Sequence, residues 1–132
     1  MRAPLRALGL GAAVLLLGAC FSEEPTTGPG NGEDVIVEMT PALTFEPRHV
    51  QIRAGQTIRW RNTSNFPHTA TGDPALAFNL ANVRLPDGAP VWHSGDVAPG
   101  SSYARTFDVV GMYTYFCVPH ESSMVGTIEV IP

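Results

Sequence analysis

The chain has 132 residues, 44% of them hydrophobic, with 12 acidic and 8 basic side chains for a formal charge of −4. That is material for one small domain. The acidic balance argues against nucleic acid or an anionic membrane surface as a partner.

The first 19 residues stand apart from that domain. Arg2 and Arg6 form a positive start, and residues 7 to 19 are an apolar run of 13. A membrane-spanning helix needs about 20 apolar residues, so this run is too short to cross. Its small residues before a cleavage point fit a secretory signal peptide over 1–19. Leu17-Gly18-Ala19-Cys20 also resembles the lipobox of bacterial lipoproteins. That resemblance implies lipidation of Cys20 and anchoring at an extracytoplasmic membrane face or in the periplasm. The competing reading is a plain signal cut near Ala19, leaving Cys20 free. Either cut removes Arg2 and Arg6 and leaves 6 basic against 12 acidic residues, a net charge of about −6. Residues 20–33 follow, rich in Gly, Pro and acids and without apolar periodicity, as expected of a flexible tether.

From Asp34 to the end at residue 132 the pattern is that of strands. Val35, Val37 and Met39 alternate with Ile36 and Glu38. In His49-Val50-Gln51-Ile52-Arg53, Val50 and Ile52 share one face, with His49 pointing to solvent. Over 57–62, Ile58 and Trp60 point inward while Arg59 and Arg61 point outward. A period of two is what a half-buried strand requires. Ala54-Gly55-Gln56 between the last two runs reads as a hairpin-type turn. Residues 73–91 break the pattern: Pro74 opens a stretch that could form one short helix over 74–82, with Pro at its first position. Three further strands are expected over 103–109, 112–117 and 125–131, the first two separated by Gly111. In 112–117, Tyr113, Tyr115 and Cys117 share one face and Thr114 and Phe116 the other. Short strands punctuated by 25 Gly and Pro residues point to an all-β antiparallel sandwich of about 7–8 strands.

The chemistry is concentrated in four residues. Cys117, His120 and Met124 lie on the single connection between two strands, and His68 lies 49 residues upstream of Cys117. One thiolate, two imidazoles and one thioether form the ligand set of a blue copper centre, with a trigonal His₂Cys plane and a weak axial Met. The soft sulfurs suit Cu(I) and the imidazoles suit Cu(II), so one site accommodates both oxidation states. The same four residues make a poor zinc set. A Cys20–Cys117 disulfide is a weak reading, because Cys20 sits at the processing site and Cys117 has His120 three residues on. A lone thiol in an oxidising compartment is better explained by a metal that occupies it. Trp60, Tyr113 and Tyr115 read as core, His93 as a residue without a copper role.

Gly111-Met112-Tyr113-Thr114-Tyr115-Phe116-Cys117-Val118-Pro119-His120, followed by Met124-Val125-Gly126-Thr127-Ile128, resembles the copper loop of the plastocyanin-like cupredoxins, including the halocyanin and pseudoazurin types. Asn65-Phe66-Pro67-His68-Thr69 resembles their upstream His segment, and Ser94 to Tyr103 the turn and strand before the Cys strand. The resemblance covers about residues 35–131. It implies a Greek-key β-sandwich, a mononuclear type 1 copper held by His68, Cys117, His120 and Met124, and one-electron transfer. It also implies an exposed edge at His120, ringed by Phe66, Pro67, Pro119 and Met124, where redox donors and acceptors dock briefly. Phe116 would then be an outward aromatic, serving as a second route or as a cap on the core.

Two positions depart from the pattern. Three residues separate His120 from Met124, where plastocyanin and pseudoazurin have four and azurin has three. Thr69 stands where many relatives carry Asn, whose amide ties the two ligand loops together. A hydroxyl has fewer hydrogen-bonding groups than an amide.

Among functions, a membrane-tethered, monomeric electron shuttle accounts for most of these features. A copper chaperone or store is the alternative, but such proteins favour exposed Met- and His-rich sites, and this chain has four Met including the first. An oxidase needs His-x-His pairs and a binuclear copper centre needs a second nearby Cys. Neither pattern is present, so no enzyme activity is expected.

Overall fold

The computed structural model describes residues 32–132. The signal peptide over 1–19, Cys20 and nearly all of the tether lie outside the described residues. Nine strands follow in order: β1 (Val35–Met39), β2 (Phe45–Glu46), β3 (His49–Arg53), β4 (Gln56–Asn62), β5 (Thr71–Gly72), β6 (Trp92–His93), β7 (Ser102–Phe107), β8 (Gly111–Phe116) and β9 (Val125–Ile131). They form two sheets, ordered β2-β1-β4-β7 and β3-β9-β8-β5-β6.

The alternation read from the sequence is what packs the sheets. Val37, Met39, Ile58 and Trp60 from one sheet and Ile52, Tyr113, Tyr115 and Ile128 from the other are all essentially buried in one core. Trp60 Nε1 donates to the Tyr115 hydroxyl at 3.1 Å, which satisfies both polar tips inside an otherwise apolar layer. Side chains of this size contribute roughly 1.5–3 kcal/mol each when buried. Arg59 and Arg61 point outward as expected and pair with Asp34, just before β1, and Glu38 of β1, each at 2.6 Å. Such exposed pairs contribute little.

The sheets are mixed rather than purely antiparallel: β1 runs parallel to β4, and β3 parallel to β9. The turn at 54–56 is correspondingly not a hairpin, because β3 and β4 belong to different sheets. Gly55 makes that change of sheet with φ of +88°, a conformation an L side chain resists. The expected helix over 74–82 is instead two single 3₁₀ turns, Pro74–Leu76 and Leu80–Asn82, capped by the side chains of Asp73 and Asn79. Ala77 and Val83, which close them, are extended, so neither turn propagates.

This 74–91 excursion changes the reading of one residue. Phe116 does point away from Cys117, but it is completely buried rather than outward. The excursion runs alongside β8, through the Arg84–Thr114 bridge and the turn at Leu80–Asn82. Phe116 is therefore no exposed route for electrons.

Candidate metal centre

Cys117 follows the last residue of β8, and its backbone N–H donates to Met124 O at 3.0 Å, just before β9 begins. Between these two anchors, Val118–His120 form a 3₁₀ turn with Pro119 near its start. The N–H groups of Ser123 and Met124 both return to His120 O, at 3.1 and 2.9 Å. The loop is thus closed upon itself, and three donor residues sit on one short rigid connection.

His68 arrives from the other side. Its backbone exchanges two hydrogen bonds with Val97, 3.2 and 2.8 Å long. Asn62 fixes the approach: its Nδ2 donates to Phe66 O and to Val97 O, both at 2.8 Å, while its Oδ1 accepts from the N–H and hydroxyl of Ser64. Asn62 is 1% exposed, and both polar ends of its side chain are hydrogen-bonded. A buried amide with its hydrogen bonds fully made is a strong geometric constraint. Sequence reading missed this residue, although its parity with Ile58 and Trp60 marks it as an inward polar group on β4.

The two segments bring His68, Cys117 and His120 together, with their donor atoms all within 4.8 Å of one another. His68 Nδ1 is 3.7 Å and His120 Nδ1 3.5 Å from Cys117 Sγ. Donors held to one ion at about 2.0–2.3 Å and spread around it in a plane would be about 3.7 Å apart. The residues present therefore fit a single metal ion with a His₂Cys donor set. Met124 is fully buried beside them in the chain, at the loop's far end.

His68 and Cys117 are both completely buried, whereas His120 is half-buried and Pro119 exposed. The rings of Phe66, His68 and His120 form a mutual cluster, with centroids 5.0 to 5.7 Å apart. Burial, followed by the neighbouring His120, lowers the His68 pKa, so its imidazole is held neutral as a ligand nitrogen must be. Burial raises the Cys117 thiol, opposed by hydrogen bonds from Thr69. A metal ion that displaces that proton is the natural counter-charge for the thiolate.

Thr69 joins the two loops. Its N–H donates to Cys117 Sγ at 3.3 Å, and its Oγ1 accepts from the Val118 N–H at 2.8 Å. The hydroxyl thus supplies the loop-to-loop tie that the sequence left in doubt. Glu121, also unforeseen, is 8% exposed and accepts from the N–H groups of Phe78 and Asn79, both at 2.8 Å, and from Asn82 Nδ2 at 3.2 Å. It clamps the 74–82 arm to the ligand loop. His49 and His93 stand apart from the cluster; each hydrogen-bonds a threonine hydroxyl, of Thr127 and Thr71 respectively.

Residues 33–131 match the family model described as copper binding proteins of the plastocyanin/azurin family. The chain belongs to that family. Plastocyanin of Scenedesmus fuscus is 40% identical over 102 residues, covering 74% of this chain and 99% of the relative. Plastocyanin of Prochlorothrix hollandica is 31% identical, covering 90% of this chain and 83% of its own. Among solved structures, a Cu(I) form of an amicyanin variant superimposes with a TM-score of 0.59 at 23% identity, over 74% of this chain and 82% of the other. That last likeness concerns the fold. Family membership makes the protein a copper electron carrier rather than an enzyme, and the donor set agrees with copper as the cofactor.

Proposed function

We propose that this protein is a one-electron shuttle whose single copper would be held by His68, Cys117, His120 and Met124. Bound copper supplies a Cu(I)/Cu(II) couple; the chain supplies everything that makes the couple usable. The observation that carries this reading is the approach of both Nδ1 atoms to Cys117 Sγ at 3.5 and 3.7 Å within a closed, hydrogen-bonded frame. A frame that cannot relax keeps the donors in place when the charge changes, so little rearrangement opposes transfer. Burial of His68 and Cys117 excludes water from the sulfur side, while half-buried His120 presents its edge outward.

Electrons enter and leave at that edge, beside Phe66, Pro67 and Pro119. A small apolar rim suits brief docking of a donor and then an acceptor, because weak encounter interfaces release quickly. A copper chaperone or store is less well supported: handing an ion over requires an accessible site, and here three of the four donor residues, His68, Cys117 and Met124, are fully buried. The shuttle is exported as a monomer, with 1–19 removed, Cys20 lipidated, 20–33 acting as tether and 34–132 as the working domain.

Adding Cu(II) to the mature protein should produce an intense thiolate-to-copper charge-transfer band and a reversible one-electron wave. Cys117→Ser should abolish both, and a colourless wild type would overturn the assignment. Pro119→Glu should leave the band intact but slow electron exchange with a partner. Cys20→Ala should release the protein from membranes; persistent attachment would remove the anchor.

A further inference from the structure

His93 lies on β6, well away from the donor cluster in sequence, yet a line of hydroxyls joins it to the ligand loop. Its Nδ1 is 2.8 Å from Thr71 Oγ1, which is 2.9 Å from Thr69 Oγ1, which accepts from the Val118 N–H at 2.8 Å. Thr69 and Thr71 are 2% and 0% exposed, while His93 is open to solvent. The line therefore runs from water to the residue next to Cys117. We propose that His93 is a positioning residue that tunes the copper potential by setting the direction of this hydroxyl chain. The proposal rests on the copper reading above.

Proton counting carries the argument. Val118 has fixed one acceptor site on Thr69 Oγ1, and each threonine owns one hydroxyl hydrogen. When His93 Nδ1 is bare, Thr71 donates to it, Thr69 donates to Thr71, and every hydrogen is used. When His93 takes a proton from solvent at Nδ1, it must donate to Thr71 Oγ1. Thr71 then donates to Thr69 Oγ1, and the Thr69 hydroxyl hydrogen is displaced. Thr69 is buried, and the acceptor we assign to that hydrogen is the Cys117 sulfur, which the N–H of the same residue already reaches at 3.3 Å. The sulfur would then receive a second hydrogen bond beside that from the Thr69 N–H. Hydrogen bonds to a ligating thiolate withdraw electron density and favour the reduced metal. The one bond formed is the Nδ1–H of His93, made as an O–H bond of solvent hydronium breaks; the threonine hydroxyls only reorient, and a partner redox protein delivers one electron.

Among the described residues, His93 has no charged partner. Asp73 follows the neighbouring strand β5, Asp96 follows β6, and Arg105 of β7 stands 5.0 Å over the ring of Trp92 rather than against His93. β8, which pairs with β5 at Thr71, carries no charged residue.

The test is the potential of the copper-loaded protein as a function of pH, with the charge-transfer band recorded alongside. The wild-type potential should rise as pH falls through the His93 titration, and the band should shift over the same range. By linkage, His93 should bind its proton on the order of tenfold more tightly in the reduced form, the worth of one hydrogen bond to a charged acceptor. Thr71→Val keeps the imidazole but cuts the chain, and should flatten the response; Thr71→Ser should restore it, and His93→Gln should remove it. In the metal-free protein, the NMR shifts of the Val118 amide and the His93 ring should share one midpoint, and Thr71→Val should separate them. A response that survives in Thr71→Val would show a through-space charge effect and overturn the relay. So would a blue protein whose potential ignores pH. A protein without a blue band would instead defeat the copper reading itself.

Discussion

The N–H of Thr69 donates to Cys117 Sγ at 3.3 Å while the hydroxyl of the same residue accepts from Val118, the next residue after Cys117. One side chain and its own amide thus grip the sulfur and the loop that carries it. Thr69→Val keeps the backbone bond and the volume but leaves the Val118 N–H without its acceptor. Losing the partner of a fully buried donor costs about 1–3 kcal/mol, and for this half-buried one the loss should fall at the lower end. Denaturant unfolding of the metal-free protein should register that loss. The blue band should survive with a displaced maximum, since the donors remain but the loop loses a restraint; an unchanged spectrum and midpoint would show that Thr69 is ornamental.

How much of this was readable in the chain depends on how local each signal is. Val37, Ile58, Trp60, Tyr113 and Tyr115 announced their faces by alternation, because a strand of five or more residues carries a period. β2, β5 and β6 have two residues each, too few for any period, and they were invisible. Cys117 and His120 were legible because they share one turn, and His68 because the two of them already implied a third donor. Asn62, Thr71 and Glu121 each also reach a partner 22 to 43 residues away in the chain, so only the assembled fold reveals their work. Phe116 was assigned to the correct face, but its complete burial was not legible, because the 74–91 excursion beside β8 has no periodicity to declare where it lies.

Copper uptake should depend on pH through Cys117. Burial, more than any other influence, lifts this thiol above its ordinary range, so at neutral pH the metal-free side chain is protonated. Binding as thiolate releases that proton. Below the raised thiol pKa the apparent affinity should therefore increase about tenfold for each unit rise in pH, provided both imidazoles are already neutral. Competition with a chelator of known pH behaviour measures it. A flat profile between pH 7 and the thiol pKa would mean that the metal-free protein already holds a thiolate.

Glu121 gives a second pH dependence of opposite origin. Burial alone would raise its pKa, but hydrogen bonds from Asn79, Phe78 and Asn82 together outweigh burial and bring it below the usual 4.5. A carboxylate depressed in the folded state contributes stability above its unfolded pKa and loses it as pH falls through the folded value. Glu121→Gln should accordingly destabilise the protein at pH 7. The gap to wild type should close as pH drops below about 4.5, because protonated Glu121 no longer offers a charged acceptor. Thermal unfolding of the metal-free forms at several pH values tests this. A deficit that stays constant down to pH 3 would assign the effect to packing of the 74–82 arm instead of charge.

Gly72 and Trp92 face each other across β5 and β6, and the pair sets the spacing of that sheet edge. A Cβ added at Gly72 would fall 2.1 to 2.4 Å from the Cζ3, Cη2 and Cε3 atoms of the Trp92 ring. Favourable carbon contacts lie near 3.5–4.0 Å, so about 1.5 Å of movement is needed. The ring has little room to supply it. Trp92 is 4% exposed and is bounded by Phe107 at 5.4 Å, Tyr113 at 6.0 Å and the Arg105 guanidinium at 5.0 Å. Gly72→Ala should therefore cost about 1–3 kcal/mol as overpacking. The cost should not stop at stability, because Thr71 and His93 sit on the same two strands and their 2.8 Å contact depends on the β5–β6 register. Combining Gly72→Ala with Trp92→Leu removes the obstructing ring, so the double variant should be less destabilised than the two single losses added together. Urea unfolding of the three variants measures the coupling. Strict additivity would mean that the ring yields freely and that Gly72 owes its identity to something other than Trp92.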